Sequence, residues 1–110
     1  MLEVPAEDAK LVTLARASRA RTRAQEGAAV RDTDGRTYSA CTVDLGTVQL
    51  TALQLAVAMA LASGVKGLEA AAVVNDGGSV DVEVVRHFAG AALPVVVADG
   101  NGEVLDVIHT

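Results

Sequence analysis

Aromatic residues are scarce in this sequence. Tyr38 and Phe88 are the only two among its 110 residues, and tryptophan is absent. Proteins that bind single-stranded nucleic acids commonly stack the bases on aromatic side chains. The shortage therefore argues against nucleic-acid binding, and it means that alanine, valine and leucine must form the core.

Cysteine is equally scarce. Cys41 is the only cysteine, so no internal disulfide can form. The first residues also lack the apolar stretch and small-residue cleavage site of a secretory signal peptide. Together these features predict a cytoplasmic protein.

Long apolar runs are missing as well. The most apolar stretch, residues 47–63, is shorter than the roughly 20 residues that cross a bilayer, and it carries polar residues near its start. We therefore expect no membrane span. Apolar residues make up 51% of the chain and charged residues 21%, which is typical of a folded globular protein. At this length we expect a single domain over residues 1–110.

Positive charge is confined mainly to the first third of the chain. The net charge is -5, and residues 37–110 carry most of the excess acid. Four arginines lie close together before that point, at Arg16, Arg19, Arg21 and Arg23. They form a candidate patch for an anion or an acidic partner. The alternative is a solvated helix end, whose cations suit the helix dipole.

The hydrophobic pattern predicts helices and strands in alternation. Helices are expected over residues 6–21, 47–63 and 80–89, with Ser79 as a cap for the third. Strands are expected over residues 27–31, 36–43, 68–75, 94–98 and 103–108, with a tight turn at Asp34-Gly35. This order indicates one α/β sheet covered by helices on both faces, with the apolar second helix buried at its centre.

Motifs along the chain resemble those of the small cytidine deaminases. They are Gly27-Ala-Ala-Val, Asp34-Gly-Arg, Cys41-Thr-Val-Asp, the helix to Gly64, Ala71-Ala-Val-Val-Asn-Asp and Pro94-Val-Val-Val-Ala-Asp-Gly. The resemblance covers roughly residues 6–104. It implies a cytidine deaminase-like three-layer α/β/α sandwich with a mixed five-stranded sheet.

The same resemblance implies that the catalytic residues of that family are missing. In zinc deaminases of this type, one His or Cys and two Cys hold zinc, while a glutamate moves the proton. Alignment of the second helix places Thr51 at the first ligand and Leu53 at the glutamate. Residues 78–87, where the two cysteines belong, contain none. We therefore expect a divergent member without zinc.

Two polar residues remain at positions that contact the sugar in that family. Thr42 and Asp44 stand where the resemblance places an Asn and a Glu, which makes them candidate ligand-binding residues. A structural role at a strand end is the alternative. A rebuilt metal site would draw on Cys41, His87 and His109, with carboxylates such as Asp81 and Glu83. We expect instead that Cys41 is a buried thiol, that His87 is an exposed or capping residue of the third helix, and that His109 is a frayed terminal residue.

Three functions remain open at this stage. The first is a non-catalytic module that forms a dimer or tetramer and binds a partner or ligand, because the family uses the second helix at subunit contacts. The second is a nucleoside deaminase-type hydrolase with a relocated site. The third is weak nucleic-acid binding through residues 16–23, against which the acidic charge and the few aromatics argue.

Overall fold

The computed structural model describes residues 2–110. Its elements follow in the order α1 (Ala6–Thr22), β1 (Gly27–Asp32), β2 (Thr37–Cys41), β3 (Val43–Asp44), β4 (Gln49–Leu50), α2 (Ala52–Ala62), β5 (Leu68–Val74), α3 (Glu83–Ala89), β6 (Pro94–Ala98) and β7 (Val104–His109). The predicted alternation of helices and strands is confirmed.

Five strands form one mixed sheet in the order β2-β1-β5-β6-β7, and β3 pairs with β4 in a small separate ribbon. Only β5 and β6 run parallel, while the other neighbours in the large sheet are antiparallel. The parallel pair requires a crossover connection, which α3 provides. The predicted mixed five-stranded sheet is therefore confirmed.

Helices cover both faces of the sheet. Alternating side chains of β5 divide between two core clusters, with Ala70, Ala72 and Val74 facing α1 and Ala71 and Val73 facing the layer of α2 and α3. Because successive strand residues point to opposite faces, an almost wholly apolar strand is what a sheet buried on both sides needs. The three layers match the predicted α/β/α sandwich.

The first helix lies very close to the sheet. Pro5 precedes it, Glu7 and Asp8 occupy its first turn, and it ends at Arg23 in the left-handed conformation. A Cβ atom on Gly27, the first residue of β1, would lie 2.0 Å from the carbonyl oxygen of Ala15. Only glycine permits this approach.

The turn between β1 and β2 is built on Asp32. Its carboxylate accepts hydrogen bonds from the backbone N–H groups of Asp34 (2.8 Å) and Arg36 (2.9 Å) and from the Tyr38 hydroxyl (3.1 Å). At the predicted tight turn Asp34-Gly35, only Gly35 has a positive φ, of 86°. The hydrogen bonds to the Asp32 carboxylate help to hold the other residues of the turn in place.

The second helix is shorter and less enclosed than the sequence predicts. It begins at Ala52 rather than residue 47, because β4 and the capping residue Thr51 come first. Only one side of it is buried; Met59 and Leu61 are exposed, and Leu61 is 50% accessible. A helix in an outer layer has the sheet on one side only, so its burial on all sides was a wrong prediction. No helix within residues 2–110 has the length and apolar character to span a membrane.

The third helix also begins later than predicted. It starts at Glu83, whose N–H group donates to the carboxylate of Asp81 (2.9 Å). Ser79 stays in the preceding loop and does not cap the helix. The N-cap position is Val82, which makes no side-chain capping hydrogen bond, so this helix begins without a capping side chain at that position.

Candidate functional site

Polar side chains gather at one end of the sheet, where β1 begins and β2 and β5 end. One hollow there, of about 340 Å³, is lined by Gln25, Glu26, Thr42, Val43, Asp44, Gln49, Leu50, Thr51 and Gln54. A second hollow, of about 470 Å³, is lined by Gln25, Glu26, Asn75, Asp76, Gly78 and Ser79. Because Gln25 and Glu26 line both hollows, we treat the two hollows as one feature and call it the strand-end cleft. It contains three of the four cleft positions singled out from the sequence, Thr42, Asp44 and Thr51.

Thr42 is positioned by the neighbouring chain. Its hydroxyl accepts a hydrogen bond from the backbone N–H of Glu26 (2.9 Å) and lies 3.3 Å from the carbonyl oxygen of Glu26, to which it can donate. Its own N–H also donates to that carbonyl (3.1 Å). These contacts extend the β1–β2 pairing by one step, and they occupy the hydroxyl that a sugar ligand would need.

Asp44 is more available than Thr42. It ends the short strand β3 and is exposed, and one carboxylate oxygen accepts from the N–H of Gly46 (3.2 Å). That contact stabilises the turn to β4. Aspartate side chains in turns commonly accept a hydrogen bond from the backbone N–H group two residues further along the chain. Its second oxygen has no hydrogen-bond partner within the described residues, so it can still accept from a ligand.

Thr51 is the N-cap of α2. Its hydroxyl accepts from the N–H of Gln54 (3.0 Å), and the Gln54 side-chain oxygen accepts from the N–H of Thr51 (2.9 Å). This reciprocal pair is a capping box, which satisfies two N–H groups that the helix itself leaves without partners. A threonine and a glutamine at this spacing are therefore explained by the start of the helix.

Leu53 does not face the cleft. It is 2% exposed and belongs to the apolar core cluster that also contains Val57, Val82 and Val85. The position that the resemblance assigns to a proton-carrying glutamate thus holds a core leucine. A carboxylate there would be buried among apolar side chains and would lose the packing of the leucine.

The residues present do not fit a zinc ion. Zinc in proteins is held by cysteine, histidine and carboxylate groups that converge on one point. Thr51 offers only a hydroxyl already engaged in capping, and Leu53 offers no donor. Across residues 2–110, no three His, Cys, Asp or Glu side chains are grouped as metal ligands.

The residues considered for a rebuilt site stand in structural positions. Cys41 is half-buried rather than buried, and its sulfur lies 3.2 Å from the Thr22 hydroxyl. His87 is exposed on α3, as expected. His109 is not frayed, since it lies in β7 opposite Pro94. Pairing with β6 holds this histidine in the sheet although it is near the end of the sequence.

Sequence analysis missed Gln25 and Glu26 as site residues. They directly precede β1, and the register that pairs Gly27 with Cys41 places them beside the end of β2. The Glu26 carboxylate has no hydrogen-bond or ion-pair partner within residues 2–110. The signal was present in the hairpin: residues just before the first strand must share an end of the sheet with residues just after the second.

The four arginines do not form one patch. Arg16, Arg19 and Arg23 line a groove of about 610 Å³ on the outer side of α1, together with Gly100 of the turn between β6 and β7. Arg21 does not line it. The guanidinium of Arg19 pairs with Asp76 (2.7 Å), so the groove and the strand-end cleft meet at this ion pair.

Comparison with known proteins agrees with the geometry. The sequence profile of the family described as Cytidine deaminase-like matches residues 4–102. A cytidine deaminase from Burkholderia pseudomallei is 25% identical, with a TM-score of 0.78 over 91% of this chain and 90% of that one. A cytidine deaminase from Mycobacterium leprae is 21% identical, with a TM-score of 0.69 over 91% of this chain and 90% of that one. A mutant cytidine deaminase from Mycobacterium tuberculosis is 25% identical, with a TM-score of 0.67 over 84% of this chain and 85% of that one. No curated protein matches the chain.

The fold and the cleft define a three-layer α/β/α protein with a polar site at the end of a mixed sheet. With the profile match over most of its length, the chain belongs to the cytidine deaminase-like family. The family suggested by the sequence motifs is thereby confirmed.

Proposed function

We propose that this chain is a non-catalytic member of the cytidine deaminase-like family that acts as an oligomeric module binding a ligand or a partner. The observation that carries the proposal is the burial of Leu53 in the core, at the position that the resemblance assigns to the proton-carrying glutamate. Proton transfer needs a titratable group within hydrogen-bond reach of the substrate, and a buried leucine provides none.

The chemistry of the cleft supports the same proposal. The hydroxyl of Thr51 caps α2, and that of Thr42 is held by the backbone of Glu26. We expect the protein to contain no zinc, because an engaged hydroxyl is a poor substitute for a thiolate or imidazole ligand. The carboxylates of Asp44 and Glu26 remain, and they suit hydrogen-bond donors such as ligand hydroxyl or amino groups.

Association of several copies is part of the proposal. The outer side of α2 presents Met59 and Leu61 to solvent, beside the small residues Ala58 and Ala62. Small residues let another helix approach closely, and the apolar side chains gain from burial. A dimer or tetramer packed through α2 satisfies both conditions.

We also propose one domain over residues 1–110, which suits a chain of this length. We propose a cytoplasmic location as well, because a chain with the single cysteine Cys41 uses no internal disulfide.

The test is metal content and cytidine turnover, measured together on protein purified without a metal-affinity tag or added zinc. An active zinc cytidine deaminase prepared in the same way is the positive control. We expect far less than one zinc per chain and no turnover above the buffer rate. Near-stoichiometric zinc with turnover would contradict the proposal and favour the relocated hydrolase site, in which case Cys41→Ala or His87→Ala should abolish both.

A further inference from the structure

A groove on the outer side of α1 is separate from the α2 surface. Three guanidinium groups line it, from Arg16, Arg19 and Arg23, above small side chains of the helix. These arginines lie at spacings of three and four residues, so they share one face of the helix. We call this feature the arginine groove.

Backbone carbonyl groups hold the first two arginines in place. Arg16 donates from Nε to the carbonyl oxygen of Gly100 (3.2 Å), and Arg19 donates from Nε to that of Ala24 (3.2 Å). Cβ atoms on Gly100 and Gly102 would each lie 3.1 Å from an arginine side chain. The two glycines therefore let the arginines lie against the turn. Arginines restrained in this way lose less freedom when they bind.

Two of the three cations lack an internal counter-charge. Arg19 is paired with Asp76, and its side chain is only 17% exposed. Among the residues that the structure describes, Arg16 and Arg23 form no ion pair. Two of the three positive charges in the groove are therefore not neutralised by the protein itself. An incoming anion would neutralise them.

The spacing of the two unpaired arginines indicates the shape of that anion. Arg16 and Arg23 are seven residues apart, which corresponds to roughly 10 Å along the axis of a helix. The carboxylate of Asp76 already occupies the middle position, on Arg19. An extended chain with several carboxylates fits this arrangement, because guanidinium pairs readily with carboxylate.

Nucleic acid fits less well. The chain has only two aromatic residues, and neither lines the groove, so the bases of a nucleic acid would find no stacking surface there. We propose that the arginine groove binds an acidic segment of a partner protein, with carboxylates at Arg16 and Arg23. This function is independent of whether the strand-end cleft is catalytic.

Fluorescence anisotropy with fluorescein-labelled hexaglutamate tests the proposal, with a labelled single-stranded RNA 10-mer and unlabelled pyrophosphate as the other probes. We expect hexaglutamate to bind at low salt and to weaken as salt screens the charges. We expect Arg16→Gln/Arg23→Gln to weaken that binding about tenfold. Tighter binding of the RNA, or displacement of hexaglutamate by pyrophosphate at equal concentration, would overturn the proposal.

A matched control removes the same amount of charge from the same helix. Lys10 and Arg21 are exposed residues of α1 that do not line the groove. Lys10→Gln/Arg21→Gln should change hexaglutamate binding by less than about twofold. Charges outside the groove act on the peptide only from a distance, where dissolved salt screens them. Equal losses in the two double variants, at unchanged thermal stability, would show that net charge and not the groove attracts the peptide. Absence of hexaglutamate binding to the unmodified protein would also refute the proposal.

Discussion

At the scale of single residues, Asp32 shows how one side chain can organise a turn. Burial would raise the pKa of its carboxyl group, but hydrogen bonds from the backbone of Arg36 and Asp34 and from the Tyr38 hydroxyl outweigh burial and lower that pKa. The same pair has the opposite effect on the partner: burial and the nearby Asp32 carboxylate raise the pKa of Tyr38. The turn is therefore stabilised by the ionised form of Asp32.

This leads to a prediction for acid stability. A carboxyl group whose pKa is lower in the folded state stabilises the fold above its unfolded pKa of about 3.9, and this contribution is lost as pH falls through the folded value. Asp32→Asn should lower stability at pH 7 while flattening its decline below about pH 4. Urea midpoints at pH 7, 4 and 3 measure both effects. Asp34→Asn, in the same turn but exposed, is the control and should leave the decline intact.

Residue identity predicted part of the candidate site. Thr42, Asp44 and Thr51 do meet at one end of the sheet, because their order along the hairpin and helix determines that end. The hydrogen bonds that engage Thr42 and Thr51 could not be predicted, since they depend on atoms of Glu26 and Gln54 lying within about 3 Å. The placement of Arg21 outside the groove could have been predicted from helical spacing, since it lies two residues from Arg19 and from Arg23 and therefore on another face of α1.

At the scale of elements, the contact between α1 and β1 depends on one glycine. We predict that Gly27→Ala lowers the free energy of unfolding by about 1–3 kcal/mol or more, since the new Cβ would overlap the Ala15 carbonyl and push the helix from the sheet. Thermal or urea unfolding gives the value. Gly78→Ala is the control, because its added Cβ would have no atom closer than 4.0 Å. Equal stability of the two variants would contradict the close packing.

The start of α2 yields a second prediction at this scale. Thr51→Ala should cost about 1 kcal/mol of unfolding free energy by removing the acceptor for the Gln54 N–H. Thr51→Ser keeps a hydroxyl and should restore most of that loss. Thr47→Ala, at an exposed residue before the helix, is expected to be near neutral. A neutral Thr51→Ala variant would mean that the cap does not stabilise the helix.

At the scale of the whole molecule, no other element within the described residues 2–110 covers the outer face of α2, and this gives the fourth prediction. Leu61→Lys should shift the protein toward smaller species, because a cation at a packed apolar contact must be desolvated. Light scattering after size-exclusion chromatography measures the mass. Leu105→Lys introduces the same change at a similarly exposed leucine of β7 and should leave the mass unchanged. A monomeric unmodified protein would refute association through α2.

The sequence by itself determined the alternation of elements, and its resemblance to the small cytidine deaminases implied the mixed sheet and the family. Local patterns suffice for the alternation, because the period of apolar residues reports which faces are buried, and Asp34-Gly35 marks the turn. The assignment of Leu53 to the position of the family's glutamate rests on the alignment of the second helix and stays a prediction.

Tertiary structure decided the rest. It showed that α2 is open on one side and that three of the four arginines share a groove with Gly100. Each of these facts depends on contacts between segments far apart in the chain. Such contacts are determined by how the layers pack, and they cannot be predicted from the residue pattern within a single segment.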